Sequence, residues 1–262
     1  MPIVERGGIP IHYEVSGTGD PVLLLHGLGS SIADWSPQVP VLARRFRAVT
    51  VDVRGHGDSG KPPGPYHIAD FAADAKAALV AAGISRPAHV IGISMGGMVA
   101  LQLAVDSPEL VRSLVILNSG PEVRASTLKE RFQLLQRRVF TRLLSQRTLG
   151  RAIAGRLFPR PEQASLRADM EERWAANDKT AYRATLEAIL EWSVVDRIAD
   201  IRQPTLVISG DRDYTTADSK RVWAARMPNA RVAVLPDSGH ASSIDQPEAF
   251  NRMVLEFLDS QP

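Results

Sequence analysis

Short apolar runs alternate with helical stretches along the first 120 residues, and this alternation limits the possible folds more than any other feature of the chain. The runs end at polar residues or glycine and are nearly continuous, as in strands buried on both faces. An alanine-rich helix over residues 67–83 and a helix after residue 94 separate successive runs. The pattern therefore predicts βαβ units in a mostly parallel sheet with helices on both faces. The clearest runs are PVLLLHG (21–27), FRAVTVDV (46–53), AHVIGIS (88–94) and VRSLVILNS (111–119).

The alternation stops in the middle of the chain. Residues 121–197 contain helical patterns, such as LKERFQLLQRRVFTRLL and KTAYRATLEAILEW, and no run typical of a strand. Strand patterns return with PTLVISG and ARVAVLP, and a final helical pattern follows them. We therefore predict a core domain formed by residues 1–120 and 198–262, into which a helical cap of residues 121–197 is inserted.

Composition excludes several classes of protein. With 262 residues, 44% of them apolar, the chain can bury a sizeable core. No apolar run approaches the roughly 18 residues of a membrane helix, and a net charge of +2 gives no strong attraction to nucleic acid or membranes. The chain has no cysteine, which excludes a thiolate nucleophile and fits a reducing compartment. The start of the chain shows no secretory pattern, so we expect a cytoplasmic protein. We also expect no metal and no cofactor, and the oligomeric state is left open.

A serine lies between glycines at the junction of a predicted strand and helix, in VIGISMGGMVA. Gly92, Ser94 and Gly96 form the pattern G-x-S-x-G, in which the glycines allow strand and helix to approach closely. A tight turn is the simpler explanation of this pattern taken alone. In the strand–turn–helix setting, the pattern is also typical of a nucleophile presented on a strained turn.

An acid and a base follow later strands. A serine hydroxyl needs a base to take its proton, and a carboxylate holds that base in the correct tautomer. In a parallel sheet such groups gather beyond the carboxyl ends of the strands. Asp213 follows the strand at 204–210, and His240 follows the last strand. Asp211 competes for the role of acid, but we prefer Asp213 because it lies deeper in the loop and Asp211 suits a turn cap.

Two backbone N–H groups are candidates for binding the oxyanion of a tetrahedral intermediate. The N–H of Met95 begins the helix after Ser94, and the N–H of Leu28 lies in the glycine-rich turn HGLG. An ordinary turn at the end of a strand is the alternative explanation for the second group. The presence of Ser94 favours the oxyanion hole.

Taken together, these motifs resemble the α/β-hydrolase superfamily, and the resemblance covers nearly the whole chain. It is strongest to the small, single-cap group of esterases, 3-oxoadipate enol-lactonases, haloperoxidase-type esterases and C–C bond hydrolases. It implies an eight-stranded, mostly parallel sheet, with Ser94 as nucleophile, Asp213 as acid and His240 as base. The motifs in order are HGLG (26–29), DVRGHGDSGKP (52–62), GISMGG (92–97), GDRD (210–213) and SGH (238–240).

The resemblance also narrows the chemistry. Members of the superfamily that act on haloalkanes or epoxides use aspartate at the elbow, and this chain has Ser94. Asp52, Arg54 and His56 form a tempting second cluster, but in the family this loop serves as a structural network.

The predicted cap has an uneven charge: residues 121–160 contain ten Lys or Arg against two Asp or Glu. One interpretation is an anion-binding mouth, with Arg124 as its candidate. A solvated helix face is the more common reason for such a run. Trp35 is a second candidate for substrate binding, although a packed helix start explains it equally well.

We therefore predict a serine carboxylesterase that hydrolyses small, short-chain esters through an acyl-enzyme. The alternative is a lactonase or a C–C bond hydrolase that uses the same three residues. A non-catalytic small-molecule receptor is less favoured, because the chain lacks none of the three residues.

Overall fold

An eight-stranded sheet forms the centre of the computed structural model, which describes residues 2–125 and 127–261. The strand order is β1-β2-β4-β3-β5-β6-β7-β8. The pairings of β1 with β2 and of β2 with β4 are antiparallel, and all the others are parallel. The predicted mostly parallel sheet is confirmed. The strands are β1 (Ile3–Arg6), β2 (Ile9–Ser16), β3 (Asp20–Leu25), β4 (Phe46–Val51), β5 (Ala88–Ile93), β6 (Val111–Leu117), β7 (Thr205–Gly210) and β8 (Ala230–Leu235).

Both faces of the central strands are buried, which explains why the sequence shows continuous apolar runs there. On β3, Leu23 and Leu25 join one hydrophobic cluster, and Val22 and Leu24 join a second one. Successive side chains of a strand point to opposite faces, so these clusters lie on opposite sides of the sheet. Strand β1 has no such signal because two of its four residues are exposed and the other two are only partly buried.

Helices cover the two faces and form the segment between β6 and β7. On one face, α2 and α3 pack against the first cluster, and α10 packs against the second on the other face. The helices are α1 (Val39–Leu42), α2 (Ile68–Ala81), α3 (Met95–Asp106), α4 (Leu128–Leu143), α5 (Gln146–Leu157), α6 (Ala164–Ala175), α7 (Lys179–Glu191), α8 (Ala217–Ala224), α9 (Ser242–Asp245) and α10 (Pro247–Asp259). Short 3₁₀ helices cover Ile32–Trp35, Pro108–Leu110, Pro161–Gln163 and Ile198–Asp200.

Residues 121–197, called the insertion below, contain α4 to α7. In the part of the insertion that the structure describes, the only β feature is an isolated bridge between Glu122 and Ser193. Polar contacts fix the insertion to the rest of the chain: Trp192 donates to Gln102 at 2.6 Å, and Asn177 donates to the carbonyl of Gly29 at 2.8 Å. Its division from the core as a separate cap domain stays a prediction.

Within residues 2–125 and 127–261, no helix is both long enough and apolar enough to span a bilayer.

Candidate active site

Ser94 occupies a strained turn between β5 and α3. Its φ of 53° and ψ of −117° lie in a backbone region that residues other than glycine rarely adopt. Its N–H donates to the carbonyl of Leu117 on β6 at 2.9 Å, which fixes the turn against the neighbouring strand. The serine therefore sits where the sequence pattern predicts a nucleophile.

The glycines around Ser94 are required by close contacts between backbones. A Cβ on Gly92 would lie 2.2 Å from the carbonyl oxygen of Gly96, and a Cβ on Gly96 would lie 2.0 Å from that of Leu25. Both distances are far below van der Waals contact. The G-x-S-x-G pattern thus allows α3 to begin directly against β3 and β5.

Asp213 contacts His240, and Asp211 does not. Oδ1 of Asp213 lies 2.6 Å from Nδ1 of His240, and the side chain of Asp213 is only 1% exposed. Asp211 instead accepts the N–H groups of Asp237 and Ser238, both at 2.9 Å, in the loop that leads to His240. The two carboxylates thus have separate tasks: one contacts the imidazole, and the other anchors its loop.

The charge of Asp213 is stabilised from two sides. Burial alone would raise the pKa of this carboxyl, but the hydrogen bond and charge of His240 and the charge of Lys220 outweigh it. The pKa of Asp213 is therefore held well below its usual range. An ionised Asp213 accepts a hydrogen bond from Nδ1–H of His240, which leaves Nε2 as the atom able to take a proton from a nucleophile.

Asn118 connects the three loops, and sequence reasoning did not identify it. Its Oδ1 accepts the N–H of Gly210, at the end of β7, at 2.9 Å. Its Nδ2 donates to the carbonyls of Gly239 and His240 at 3.1 and 2.9 Å. Because Asn118 directly follows Leu117, which holds Ser94, it ties the serine turn to the loops of the acid and the base. A buried asparagine directly after an apolar strand was the available signal.

The turn that contains Leu28 lies next to Ser94. A methyl group added to Gly27 would lie 3.6 Å from Cβ of Ser94. His26 holds this turn: its Nε2 accepts the N–H of Val53 at 3.3 Å, so its Nδ1 donates to the carbonyl of Gly27 at 2.8 Å.

The two candidate oxyanion donors are backbone N–H groups. Leu28 makes no hydrogen bond through its N–H within the described ranges of the chain. Met95 is the first residue of α3, where N–H groups have no acceptor inside the helix. Both donors are thus compatible with an oxyanion hole, which stays a prediction.

An aromatic side chain covers the imidazole of His240. The ring of Tyr214 stacks on it, with the centroids 4.4 Å apart and the planes inclined by 19°. The guanidinium of Arg156, from α5 of the insertion, lies 4.4 Å from the centroid of the Tyr214 ring. The insertion therefore brings a positive charge close to the base.

Of the two predicted substrate-binding side chains, Trp35 is buried in the core and Arg124 is exposed. Trp35 is 1% exposed and packs in the second hydrophobic cluster, on the α10 side of the sheet, with Val22, Leu24 and Phe46. It offers no surface to a substrate, because the 3₁₀ helix that carries it turns the indole into the core. Arg124 lies exposed near the start of the insertion, and the structure describes no ion pair or hydrogen bond to it.

In the loop of Asp52, Arg54 and His56 both charged side chains are paired, whereas Nε2 of His56 has no hydrogen-bond partner among the described residues. The guanidinium of Arg54 donates to both oxygens of buried Asp74, at 2.8 and 2.6 Å. Burial lowers the pKa of His56 to about 3, so this imidazole is neutral. Asp52 and His12 could join Asp58 as metal ligands, but Oδ2 of Asp52 already accepts from His12 at 2.9 Å and from the N–H of Asp58 at 3.0 Å.

Known proteins resemble the chain over nearly its whole length. The sequence model of the family described as "alpha/beta hydrolase fold" matches residues 20–247. "Putative carbamate hydrolase RutD" of Azorhizobium caulinodans is 32% identical over 265 residues, which covers 98% of each chain. An enol-lactonase from Burkholderia xenovorans LB400 superposes with a TM-score of 0.91 at 28% identity, covering 99% of this chain and all of its own. A thermophilic esterase from Thermogutta terrifontis gives a TM-score of 0.84 at 25% identity, covering 98% and 96% of the two chains.

Proposed function

Because the chain belongs to the α/β-hydrolase family, we propose that it is a serine hydrolase that cleaves small carboxylic esters through an acyl-enzyme intermediate. The observation that carries the proposal is the strained turn at Ser94, tied through Asn118 to the loops of the contacting pair Asp213 and His240. Paired acid and imidazole beside a presented serine are the groups that nucleophilic acyl transfer requires.

In the proposed reaction, Oγ of Ser94 attacks the ester carbonyl and its proton passes to Nε2 of His240. The N–H groups of Leu28 and Met95 bind the oxyanion that forms. Nε2 then gives the proton to the leaving alcohol, and the acyl group stays on Ser94. A water molecule, deprotonated by His240, cleaves the acyl-enzyme, and the carboxylic acid leaves. Asp213 stays ionised throughout and stabilises the imidazolium.

Two features support small substrates. Tyr214, from the loop after β7, stacks on His240, and Arg156 of the insertion lies over Tyr214, so the site is partly covered rather than an open surface. The similar esterase and enol-lactonase structures cover almost the whole chain, insertion included.

A lactone is the second candidate substrate, favoured by the TM-score of 0.91 with the enol-lactonase. The same attack by Ser94 would open a cyclic ester, with the ring oxygen as leaving group. The relative named as a carbamate hydrolase adds carbamates to the classes to be screened.

The test is hydrolysis of p-nitrophenyl acetate, butyrate and octanoate by the wild type, by Ser94→Ala and by Ser36→Ala, which changes an exposed serine outside the proposed triad. We expect turnover to fall with chain length, and to drop at least about 10³-fold in Ser94→Ala only. Equal activity of Ser94→Ala and the wild type would contradict the proposal. A wild type that is inert toward the three esters but opens an enol-lactone would favour the second candidate.

A further inference from the structure

Helix α4 carries a row of large apolar side chains that nothing in the described structure covers. The row is called the α4 stripe below, and its members follow one another at spacings of three or four residues, so they share one side of the helix. Six of the twelve exposed large apolar side chains within the described residues lie on this one helix. The stripe comprises Leu128, Phe132, Leu135, Val139 and Leu143, which are 83%, 65%, 57%, 41% and 75% exposed.

The stripe faces away from the rest of the molecule. Thr141 is buried, and Arg138 forms an ion pair with Glu187 of α7 at 2.6 Å, so this side of α4 packs inward. At about 100° per residue, the centre of the stripe lies roughly 160° around the helix from Arg137. The charge of Arg137 acts on Tyr214, opposing the rise that burial causes in the pKa of that residue. Arg137 thus lies on the opposite side of α4 from the stripe, and the stripe faces solvent.

The polar positions of α4 are mostly basic. The helix has five Lys or Arg residues and one Glu. Only Arg138 has an acidic partner in an ion pair between residues that the structure describes. Apolar residues on one side, flanked by cations, are the pattern of helices that lie in the headgroup region of anionic bilayers.

A second copy of the chain fits the stripe less well. Antiparallel packing of two stripes about a two-fold axis would bring Lys129 of one copy toward Arg142 of the other, and like charges repel. A stable dimer also uses about 20 to 30 residues from each partner, far more than the five of the stripe.

We propose that α4 binds the surface of an anionic lipid bilayer, with the α4 stripe among the lipid tails and its flanking cations at the headgroups. Binding of this kind would hold the insertion, whose Arg156 lies over Tyr214, against the membrane surface.

Vesicle co-sedimentation tests this surface. We expect the wild type to bind phosphatidylcholine vesicles that contain phosphatidylglycerol, and to bind phosphatidylcholine alone at least about tenfold more weakly. Phe132→Gln/Leu135→Gln should reduce binding at least about tenfold. The matched control is Val80→Gln, which changes an exposed side chain on α2 and should bind as the wild type does.

Three results would overturn the proposal: no binding of the wild type to anionic vesicles, equal binding to neutral ones, or an equal loss in the control. A wild type that is dimeric by light scattering and becomes monomeric in Phe132→Gln/Leu135→Gln would also overturn it, since the stripe would then join two copies.

A separate observation concerns Lys220 on α8, whose side chain is 1% exposed. Its Nζ donates to Oδ2 of Asp213 at 2.6 Å, to Oγ of Ser209 at 3.0 Å, and to the carbonyl and Oγ1 of Thr215, both at 2.9 Å. A buried ammonium is unfavourable unless it is paired and hydrogen-bonded. Here it is paired with the carboxylate that contacts the proposed catalytic base.

The two oxygens of Asp213 therefore have different partners: Oδ1 faces His240, and Oδ2 faces Lys220. The carboxylate cannot rotate without losing one of them. We infer that Lys220 is a positioning residue that fixes Asp213 and moderates its attraction for the imidazolium. This inference rests on the proposed function, in which His240 is the base.

Removing the charge of Lys220 should strengthen the effect of Asp213 on the imidazolium. The other groups that face the pair stay unchanged: Tyr214 stacked on His240, and the arginines near Tyr214, Arg156 and Arg137. A higher pH is then needed to free the imidazole as a base.

For Lys220→Met we expect kcat to fall about tenfold or more with little change in KM, and the pH of half-maximal activity to rise by about one unit. Lys76→Met, which removes an exposed lysine that donates to Ser107, is the matched control and should change neither. In an Asp213→Asn background, Lys220→Met should have almost no further effect on kcat, because it acts through Asp213.

A folded Lys220→Met with the kcat and pH profile of the wild type would overturn the inference. It would also be overturned if the fall in kcat of the double variant equalled the product of the falls in Lys220→Met and Asp213→Asn. The double variant removes both charges of the buried pair, so it leaves no unpaired buried charge that could cause misfolding. Failure here leaves the result for Ser94→Ala intact, so it is distinct from failure of the proposed function.

Discussion

The core and the insertion use side chains in opposite ways. In the core, the groups around Ser94 are buried and each polar atom of Asp213 and Asn118 has a partner. In the insertion, α4 leaves large apolar side chains exposed, and a phenylalanine, Phe132, is 65% exposed.

The difference shows that close backbone contacts constrain the core around Ser94 more than they constrain the insertion. Around Ser94, backbone atoms of β3, β5 and α3 approach within distances that no side chain could occupy. The insertion contributes to the site through a few side chains, above all Arg156. Substitutions in the core should therefore alter both stability and chemistry, and those in the insertion mainly selectivity and association.

The largest effect should come from Gly96→Ala. The added Cβ would lie 2.0 Å from the carbonyl oxygen of Leu25, so α3 or β3 must move. We expect the free energy of unfolding in urea to fall by about 3 kcal/mol or more, and ester hydrolysis to be lost. Wild-type stability in this variant would show that the backbones around Ser94 are less constrained than these distances imply.

A smaller effect is expected for Asn118→Ala, which removes the link between the three loops. Its lost hydrogen bonds leave buried groups unpaired, so stability should fall by about 2 kcal/mol and kcat by about tenfold or more. Asn251→Ala loses one bond, to the carbonyl of Pro37, and serves as control. If both variants keep full activity, Asn118 does not position the site.

The next prediction concerns the pH dependence of stability that His56 causes, which should be about half as large as the effect of Asn118→Ala. Burial lowers the pKa of His56 to about 3, whereas the unfolded value is about 6.5. Between these values the unfolded chain binds a proton that the folded chain does not, so stability falls as the pH falls. From pH 6 to pH 5 the contribution of His56 alone to this loss should be about 1 kcal/mol. His56→Phe should lose this contribution in urea unfolding, and exposed His67→Asn should keep it.

The smallest effect is expected for a glycine of the insertion. Gly155 lies in α5 of the insertion, and a Cβ there would meet nothing within 4 Å. Gly155→Ala should raise the free energy of unfolding by about 0.5–1 kcal/mol, because alanine favours the helix. A destabilised Gly155→Ala would mean that the insertion is packed as tightly as the core.

Much of the site could be predicted because its residues follow strands. Ser94, Asp213 and His240 each come after an apolar run, and parallel strands bring their carboxyl ends to one edge. Lys220 and Asn118 could not be assigned in this way, since their roles depend on partners from other loops. Trp35 was misassigned because a sequence does not show which way a side chain at a helix start turns.

The alternation of apolar runs and helices, with glycines around a serine, determined the parallel sheet and the place of the elbow, because both follow from local periodicity and steric limits. Tertiary structure alone decided that a lysine is buried behind Asp213, that Asn118 ties three loops together, and which side of α4 stays exposed. These depend on contacts between residues far apart in the chain, and local sequence carries no record of the distances that such contacts require.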